Sequence, residues 1–345
     1  MLGLLRTILS LIVFLSHMPG TEIRVNIGVM AVILFYFISG FLMTNSFDAF
    51  RRSSKRPILS FLADRFLRIY PCYLVVLLAM TGIMVMFRQS LVHATYLDVT
   101  TSSFLDNLSL VPLNYFPNLY VHPTWSLALE CQFYLLVPIL YFLPLPALAA
   151  VMAGSMGYHV YAYHAFDIFV ADQQAYRHIF GILFVFCMGI CFARRADRRW
   201  RALLAAIVGA QAVLLLFVYP VSHPFGNFAA LEISLAVLIA TPLSDYALRV
   251  QMPRFKKLDR FIGELCYPIF LVHVPAIYCA DILVPTAAVP PKLWYPVAIA
   301  LCLAFALALH FAVQMPSERL RYAVRGFGTI AKKTDGQAAD ELAPA

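Results

Sequence analysis

Charge is what this sequence is shortest of. Only 13% of its 345 residues are Asp, Glu, Lys or Arg, while 62% are hydrophobic and the mean hydropathy is +0.79. A soluble domain carries about 25% charged residues, so a soluble globular fold is excluded. Acid is the scarcer sign, with 18 Asp and Glu against 26 Lys and Arg. The seven cysteines form no CxxC and no His/Cys ligand spacing, so no metal or redox role is assigned to them. Cys187 and Cys191 share a helix face, but an apolar one. There is no GxSxG, no HExxH and no Walker loop. No convincing internal repeat of the kind many transporters carry is visible either.

Long apolar runs are what the chain has instead. Several separate stretches of roughly 16 to 23 apolar residues favour a bundle of helices over a barrel, whose strands would alternate over short segments. The reading is an all-α, polytopic integral membrane bundle of about ten transmembrane helices. The spans fall near Gly3–Met18, Ile27–Asn45, Tyr70–Phe87, Leu127–Leu143, Leu145–Tyr163, Ile179–Ala193, Ala202–Tyr219, Phe228–Leu243, Ile262–Val284 and Leu293–Met315. Only Pro144-Leu145-Pro146 divides the fourth from the fifth, which leaves either a tight hairpin or one interrupted element. Arg6 and the run Ile8–Leu15 superficially fit a signal peptide. Ser16-His17-Met18-Pro19 lacks the small-x-small cleavage pattern, so the segment is expected to stay as the first span.

Loop charge tests the count. Apart from Arg6, Arg24, Arg88, Arg177 and Lys292, every Lys and Arg falls in four clusters: 51–68, 194–201, 249–260 and 319–333. In the ten-span scheme all four lie on one side, and the positive-inside bias makes that side, with both termini, cytoplasmic. The net charge of +8 is therefore no sign of nucleic-acid binding. Residues 1–325 read as the membrane domain, and 326–345 as a polar cytoplasmic tail expected to be disordered. No appended soluble domain is expected, so chemistry is expected inside the bundle. The longest outer loop, from about Arg88 to Ser126, is rich in Thr, Ser, Asn, Tyr and Pro and suits a polar acceptor.

A few ionisable residues interrupt the apolar runs. Arg6 and His17 lie in one span, about 16 Å apart along its axis, with Arg6 near the inner face and His17 in the outer half. Arg6 alone is compatible with an ordinary anchor, and His17 alone with a satisfied buried histidine. Histidine is nonetheless the side chain best suited to moving a proton near neutral pH. Arg65 and Arg68, spaced i, i+3 at the start of the third span, are placed to grip phosphate or to flank the helix as cytoplasmic cations. Glu130 is the sole acid of its span and either complements the helix dipole or serves His17 or an acceptor. Ser39-Gly40 permits close helix packing or close passage of a ligand. His273 is a second mid-membrane imidazole with no role assigned.

Taken in order, these motifs resemble one family. The Arg6-x10-His17 pair, the aromatic run into Ser39-Gly40-Phe41, Arg65-x-x-Arg68 with Tyr70-Pro71, Trp125-Ser126-Leu127 with Glu130, and Gly263 to Pro275 are similar to the membrane-bound acyltransferases of the acyltransferase-3 family. That family acylates sugars and other hydroxyl-bearing acceptors. The resemblance runs from about Leu2 to Met315. One departure stands out: many relatives carry a Gly and an acid where this chain has Ala31 and Ile33.

The resemblance implies an O-acyltransferase, by default an O-acetyltransferase, with no permanently bound cofactor and no metal. It would use cytoplasmic acetyl-CoA or another acyl-CoA as donor, and a sugar, glycolipid or polysaccharide hydroxyl as acceptor. It implies His17 and Arg6 in catalysis and Arg65 and Arg68 at the donor site. On the residues themselves, His17 is expected to act as general base or to carry the acyl group, Glu130 to orient or stabilise it, and Arg6, Ser39 and Gly40 to lie toward the donor. A multi-pass protein of a bacterial inner membrane, in contact with lipid and not with nucleic acid, is the corresponding location. The competing reading is a transporter or flippase of lipid-linked sugars that makes no bonds. Binding or hydrolysis of acyl-CoA separates the two.

Overall fold

The computed structural model describes residues 1–20, 26–87, 99–116, 118–218, 228–250, 253–284 and 291–324. The expected polar tail 326–345, the basic residues Arg24, Arg88, Arg325, Lys332 and Lys333, and the outer loop over 88–98 lie outside them.

Among the described residues the chain is helical throughout. The helices are α1 (Leu2–Ser16), α2 (Ile27–Ser53), α3 (Pro57–Phe87), α4 (Thr101–Leu108), α5 (Thr124–Phe142), α6 (Leu145–Ala165) and α7 (Ile168–Ala175). They continue with α8 (Ile179–Ala193), α9 (Arg198–Val213), α10 (Phe228–Arg249), α11 (Lys256–Leu283), α12 (Pro291–Leu309) and α13 (Met315–Val324). Each expected span overlaps one of them, although α6, the fifth, is not among those long and apolar enough to cross a membrane. Seven are long and apolar enough to cross a membrane, and α1 and α8 are shorter apolar helices. Large apolar side chains such as Val85, Met86, Ile139, Phe142, Leu216 and Phe217 point outward, as a lipid-facing surface requires.

The ambiguity after the fourth span resolves into two helices. Leu143 and Pro144 are both extended, with ψ of 136° and 153°, so the helical hydrogen-bond ladder stops there and restarts at Leu145. The third span differs more. Its helix begins at Pro57, well before the expected start at Tyr70, so Arg65 and Arg68 lie inside it rather than in a loop. A basic run reads as loop because isolated cations are costly in apolar surroundings; here neighbouring helices supply the polar partners. The outer loop is also more built than its composition suggested. Thr100 and Ser103 cap α4 reciprocally, and buried Asn107 donates to Asn118 O (2.7 Å) while accepting from Tyr120 N (3.0 Å).

Helix α2 is central, packing on α1, α3, α5, α8 and α10. Small residues allow the closest approaches. A Cβ on Gly40 would fall 2.0 Å from the Phe186 carbonyl oxygen, and Gly189 faces back onto Phe37 and Phe41. Helix α1 lies just as tightly along α11, with Gly3 on Gly263 and the hydroxyls of Thr7 and Ser10 donating to Ile262 O (2.6 Å) and Cys266 O (2.9 Å).

Contacts between helix ends give the bundle two distinct poles. At one, Tyr141 donates to Asp48 (2.5 Å), Arg194 donates to Tyr141 O (2.6 Å), Arg195 pairs with Asp245 (3.6 Å), and the N-terminal ammonium donates to Ala247 O (2.9 Å). This pole gathers the start of α1 and the ends of α2, α5, α8 and α10, and those of α2, α8 and α10 carry residues of the basic clusters. At the other, Tyr295 donates to Pro19 O (2.7 Å) and His17 meets His122.

Candidate active site

Helices α1, α2, α3, α5 and α11 enclose a cavity of roughly 730 Å³, its mouth included. Arg6 enters it from α1, Tyr36 and Ser39 from α2, Arg68 from α3, and Ser126, Glu130 and Tyr134 from α5. Cys266, Tyr267 and Phe270 close it from α11. The spacing is helical: Ser126, Glu130 and Tyr134 each follow by four residues and so share one face. Glu130 accepts hydrogen bonds from Ser39 Oγ (2.8 Å) and from the Tyr134 hydroxyl (2.5 Å). Among the described residues neither Arg6 nor Arg68 makes a salt bridge, although Arg6 is only 8% exposed. The chamber therefore presents two guanidiniums and one hydroxyl-clamped carboxylate against largely apolar walls. Such a chamber suits an anionic or strongly polarised ligand.

The predicted residues divide into two groups. Arg6, Ser39, Arg68 and Glu130 come together in this cavity. Arg65, Gly40 and His17 do not line it. Arg65 is 2% exposed and turned toward α2, donating to Met43 Sδ (3.2 Å) and Ser46 Oγ (3.4 Å) and pairing with Asp64. Its spacing from Arg68 put both on one helix face, but α2 covers the lower one. Gly40 is spent on the contact with α8. His17 sits at the C-terminal end of α1, beyond the cavity and toward the second pole. Glu130 accordingly serves Ser39 and Tyr134, and its partners are not the His17 imidazole.

At its own end His17 has different company. Its Nδ1 bonds to Val13 O (2.7 Å), which makes Nδ1 the protonated nitrogen and leaves the lone pair on Nε2. The rings of His273 and His122 lie 5.1 and 5.9 Å away, centre to centre. His273 is fully buried, with Nδ1 bonded to Phe270 O (2.6 Å). His122 sits on the turn before α5 and opens to the surface; partial withdrawal from water, then His17 and Arg177 beside it, hold its imidazole down at about 4. Among the described residues no group of three His, Cys, Asp or Glu has metal-holding geometry, this cluster included. Phe270 links the two regions: it lines the cavity and its ring lies 5.9 Å from that of His273.

Sequence reasoning missed His122, Tyr134, Tyr36 and Cys266. Tyr134 was within reach, one turn beyond Glu130. His122 lies in a turn without periodicity, so nothing local tied it to His17.

A helical membrane protein with a charged chamber buried among its helices is the class that this architecture defines. Comparison with known proteins narrows it. Residues 2–311 match the acyltransferase domain, and the chain belongs to the acyltransferase-3 family: it is a membrane acyltransferase. It is similar to a protein of Komagataeibacter xylinus named as a membrane-bound transacylase, BcsY, with 30% identity covering 74% of this chain and 68% of that one. An uncharacterised protein of Aquifex aeolicus is 29% identical over 44% of this chain. No solved structure matches.

Proposed function

We propose that the chain transfers an acyl group, by default acetyl, from cytoplasmic acyl-CoA to a hydroxyl of a sugar, glycolipid or polysaccharide at the opposite face of a bacterial inner membrane. The observation that carries this reading is the pair of guanidiniums, buried Arg6 and half-buried Arg68, that face one chamber and, among the described residues, make no salt bridge. An anionic donor satisfies them, and Phe270, which lines the chamber, neighbours His273, whose ring lies 5.1 Å from that of His17. Arg68 and Arg6 take the anionic groups of the donor; Arg65, engaged with Asp64, supports α3 instead. Glu130, held by Ser39 and Tyr134, sits beside the path of the thioester. His17, with its lone pair on Nε2, removes the proton of the acceptor hydroxyl as oxygen attacks the thioester carbonyl. Basic helix ends gathered at the Arg6 pole support a cytoplasmic assignment for that side.

The test is binding of acetyl-CoA to the full chain in lipid nanodiscs. Saturable binding that weakens in Arg68→Ala supports the reading. No binding by the wild-type protein overturns it. Mass spectrometry of envelope glycans and glycolipids, with and without the gene, then identifies the acceptor.

A further inference from the structure

His273 of α11 is fully buried, with the rings of His17, Phe270 and Phe14 centred 5.1, 5.9 and 6.1 Å from its own. Its Nδ1 lies 2.6 Å from Phe270 O, and because a carbonyl oxygen only accepts, Nδ1 carries the proton. The lone pair of the neutral ring is therefore on Nε2, which is buried and has no hydrogen-bond partner among the described residues. A buried acceptor without a donor costs free energy, so its place in a fold calls for a reason. His17 has the same tautomer, since its Nδ1 donates to Val13 O (2.7 Å). Two neighbouring imidazoles thus hold two free lone pairs and no proton to share between them. His159 also carries a buried, unpartnered Nε2, but its ring packs on Tyr163 and Phe184, and neither gains a proton in the proposed reaction.

We propose that His273 is a positioning residue for His17: its Nε2 accepts the N–H that His17 gains from the acceptor hydroxyl, and so keeps that proton on His17 while the ester forms. This rests on the proposed acyl transfer through His17. In that step the acceptor O–H bond breaks, its proton passes to His17 Nε2, and oxygen bonds to the acyl carbon. The C–S bond breaks, its electron pair leaves on the CoA sulfur, and that sulfur takes up a proton from water. His17 Nε2 then bears the N–H that the pair lacked. Ring centres 5.1 Å apart bring the two Nε2 atoms within direct hydrogen-bond range once the rings turn to face each other. The buried acceptor is then satisfied, which favours the charged form of His17 over the neutral one. His17 is itself exposed and returns its proton to outside water when the product leaves. During the transfer the acceptor displaces water from that exposed side, and stabilising the imidazolium falls to the buried side, where His273 stands.

The charged and titratable groups around the pair are few. His17 is faced by His273 from α11, His122 from the turn before α5 and Arg177 from the turn before α8; His273 is faced by His17 and His122. No carboxylate is among these neighbours. Arg177, held over the Trp125 ring at 4.7 Å, is a cation that donates and never accepts. His122 is exposed, and its ring is centred farther from His17, at 5.9 Å. The buried acceptor beside His17 is His273.

The experiment uses the parent organism with its own gene deleted and the full chain, wild type or variant, restored. Alkali-labile acetate on the cell envelope, normalised to the chain present in membranes, is measured across external pH from about 5 to 8, where imidazoles titrate. His273→Phe keeps the bulk and removes the acceptor, and is expected to lower acetate about ten-fold or more. The acid side of its pH profile is expected to move to lower pH, because His17 without its acceptor is harder to protonate. His273→Gln keeps a buried oxygen that accepts the N–H and is expected to recover most of both changes. Acetyl-CoA binding in nanodiscs is expected to be unchanged in both variants. Wild-type acetate in His273→Phe overturns the proposal. So does a loss with an unchanged pH profile, or a His273→Gln variant no better than His273→Phe, since a packing residue behaves that way. Where His273→Phe does not accumulate in membranes, His273→Leu is judged by the same criteria. Full acetylation in His17→Ala, or no acetate gained with the wild-type gene, instead refutes the underlying acyl-transfer reading.

Discussion

Asp64 holds Arg321 across 257 positions of sequence, the guanidinium Nε lying 3.2 Å from Oδ1, while its other oxygen engages Arg65. All three side chains are nearly or fully buried. The contact ties α3 to α13, the helix that continues the bundle beyond the last span. It also explains why Arg65 is turned away from the cavity that Arg68 lines.

Asp64→Ala leaves two buried guanidiniums short of their carboxylate, and breaking such a pair costs about 3–5 kcal/mol. The expected outcome is a large drop in the thermal unfolding midpoint of the detergent-purified protein. Arg321→Met, which removes one cation but keeps apolar bulk, is expected to cost less. Equal losses in both would mean that the carboxylate does not bridge the two helices.

Arg65 and Arg68 should part company when each is replaced. Arg68→Ala is expected to weaken acetyl-CoA binding about 10- to 100-fold, the size of a lost charge-assisted contact of about 1.5–3 kcal/mol, with stability little changed. Arg65→Ala is expected to destabilise the fold, and the fraction that remains folded should bind with near wild-type affinity. Parallel thermal melts and binding isotherms on the two variants check this.

How much of this was legible in the sequence depended on whether neighbours along the chain decide the outcome. Spans were legible because a lipid-facing helix must be apolar over its length, and α8 begins and ends at the residues that apolarity picked out, Ile179 and Ala193. The start of α3 was not, because Arg65 and Arg68 look like loop until Asp64, Ser46 and the cavity are brought to them by folding. Glu130 was placed in the right span, but at the depth of His17; it lies instead in the cavity with Arg6, and Ser39, its partner, comes from α2, a contact that sequence distance hides. His17 and His122 are separated by the three helices α2, α3 and α4 and meet only at the end of the bundle.

Gly40 separates packing from ligand contact. A side chain at this position drives a Cβ against the Phe186 carbonyl oxygen, 2.0 Å away, in backbone that cannot yield cheaply. Gly40→Val is expected to cost at least the 1–3 kcal/mol of about one overpacked site, and to lower the amount of folded protein in membranes. Donor affinity per folded molecule should be unchanged, measured as binding normalised to the monodisperse fraction on size exclusion. A loss of affinity without a loss of stability would instead put Gly40 in the donor path.

Glu130 gives a prediction whose sign separates two roles. If its carboxylate were a mere anchor for the helices, removing its charge would loosen the site, and donor affinity and turnover would fall together. In the proposed mechanism it stands in the same chamber as an anionic donor, beside two guanidiniums it does not pair with. Glu130→Gln keeps the acceptor oxygen for Ser39 and Tyr134 while removing one negative charge, and like charges in one site repel. Acetyl-CoA should therefore bind Glu130→Gln at least as tightly as wild type, while acyl transfer falls about 100-fold or more if the charge acts on the reacting groups. Tyr134→Phe removes one hydrogen bond, leaves the charge, and is expected to cause a smaller loss of transfer. Weaker donor binding in Glu130→Gln, of the size seen in Arg68→Ala, would assign the carboxylate to ordering the arginines rather than to the chemical step.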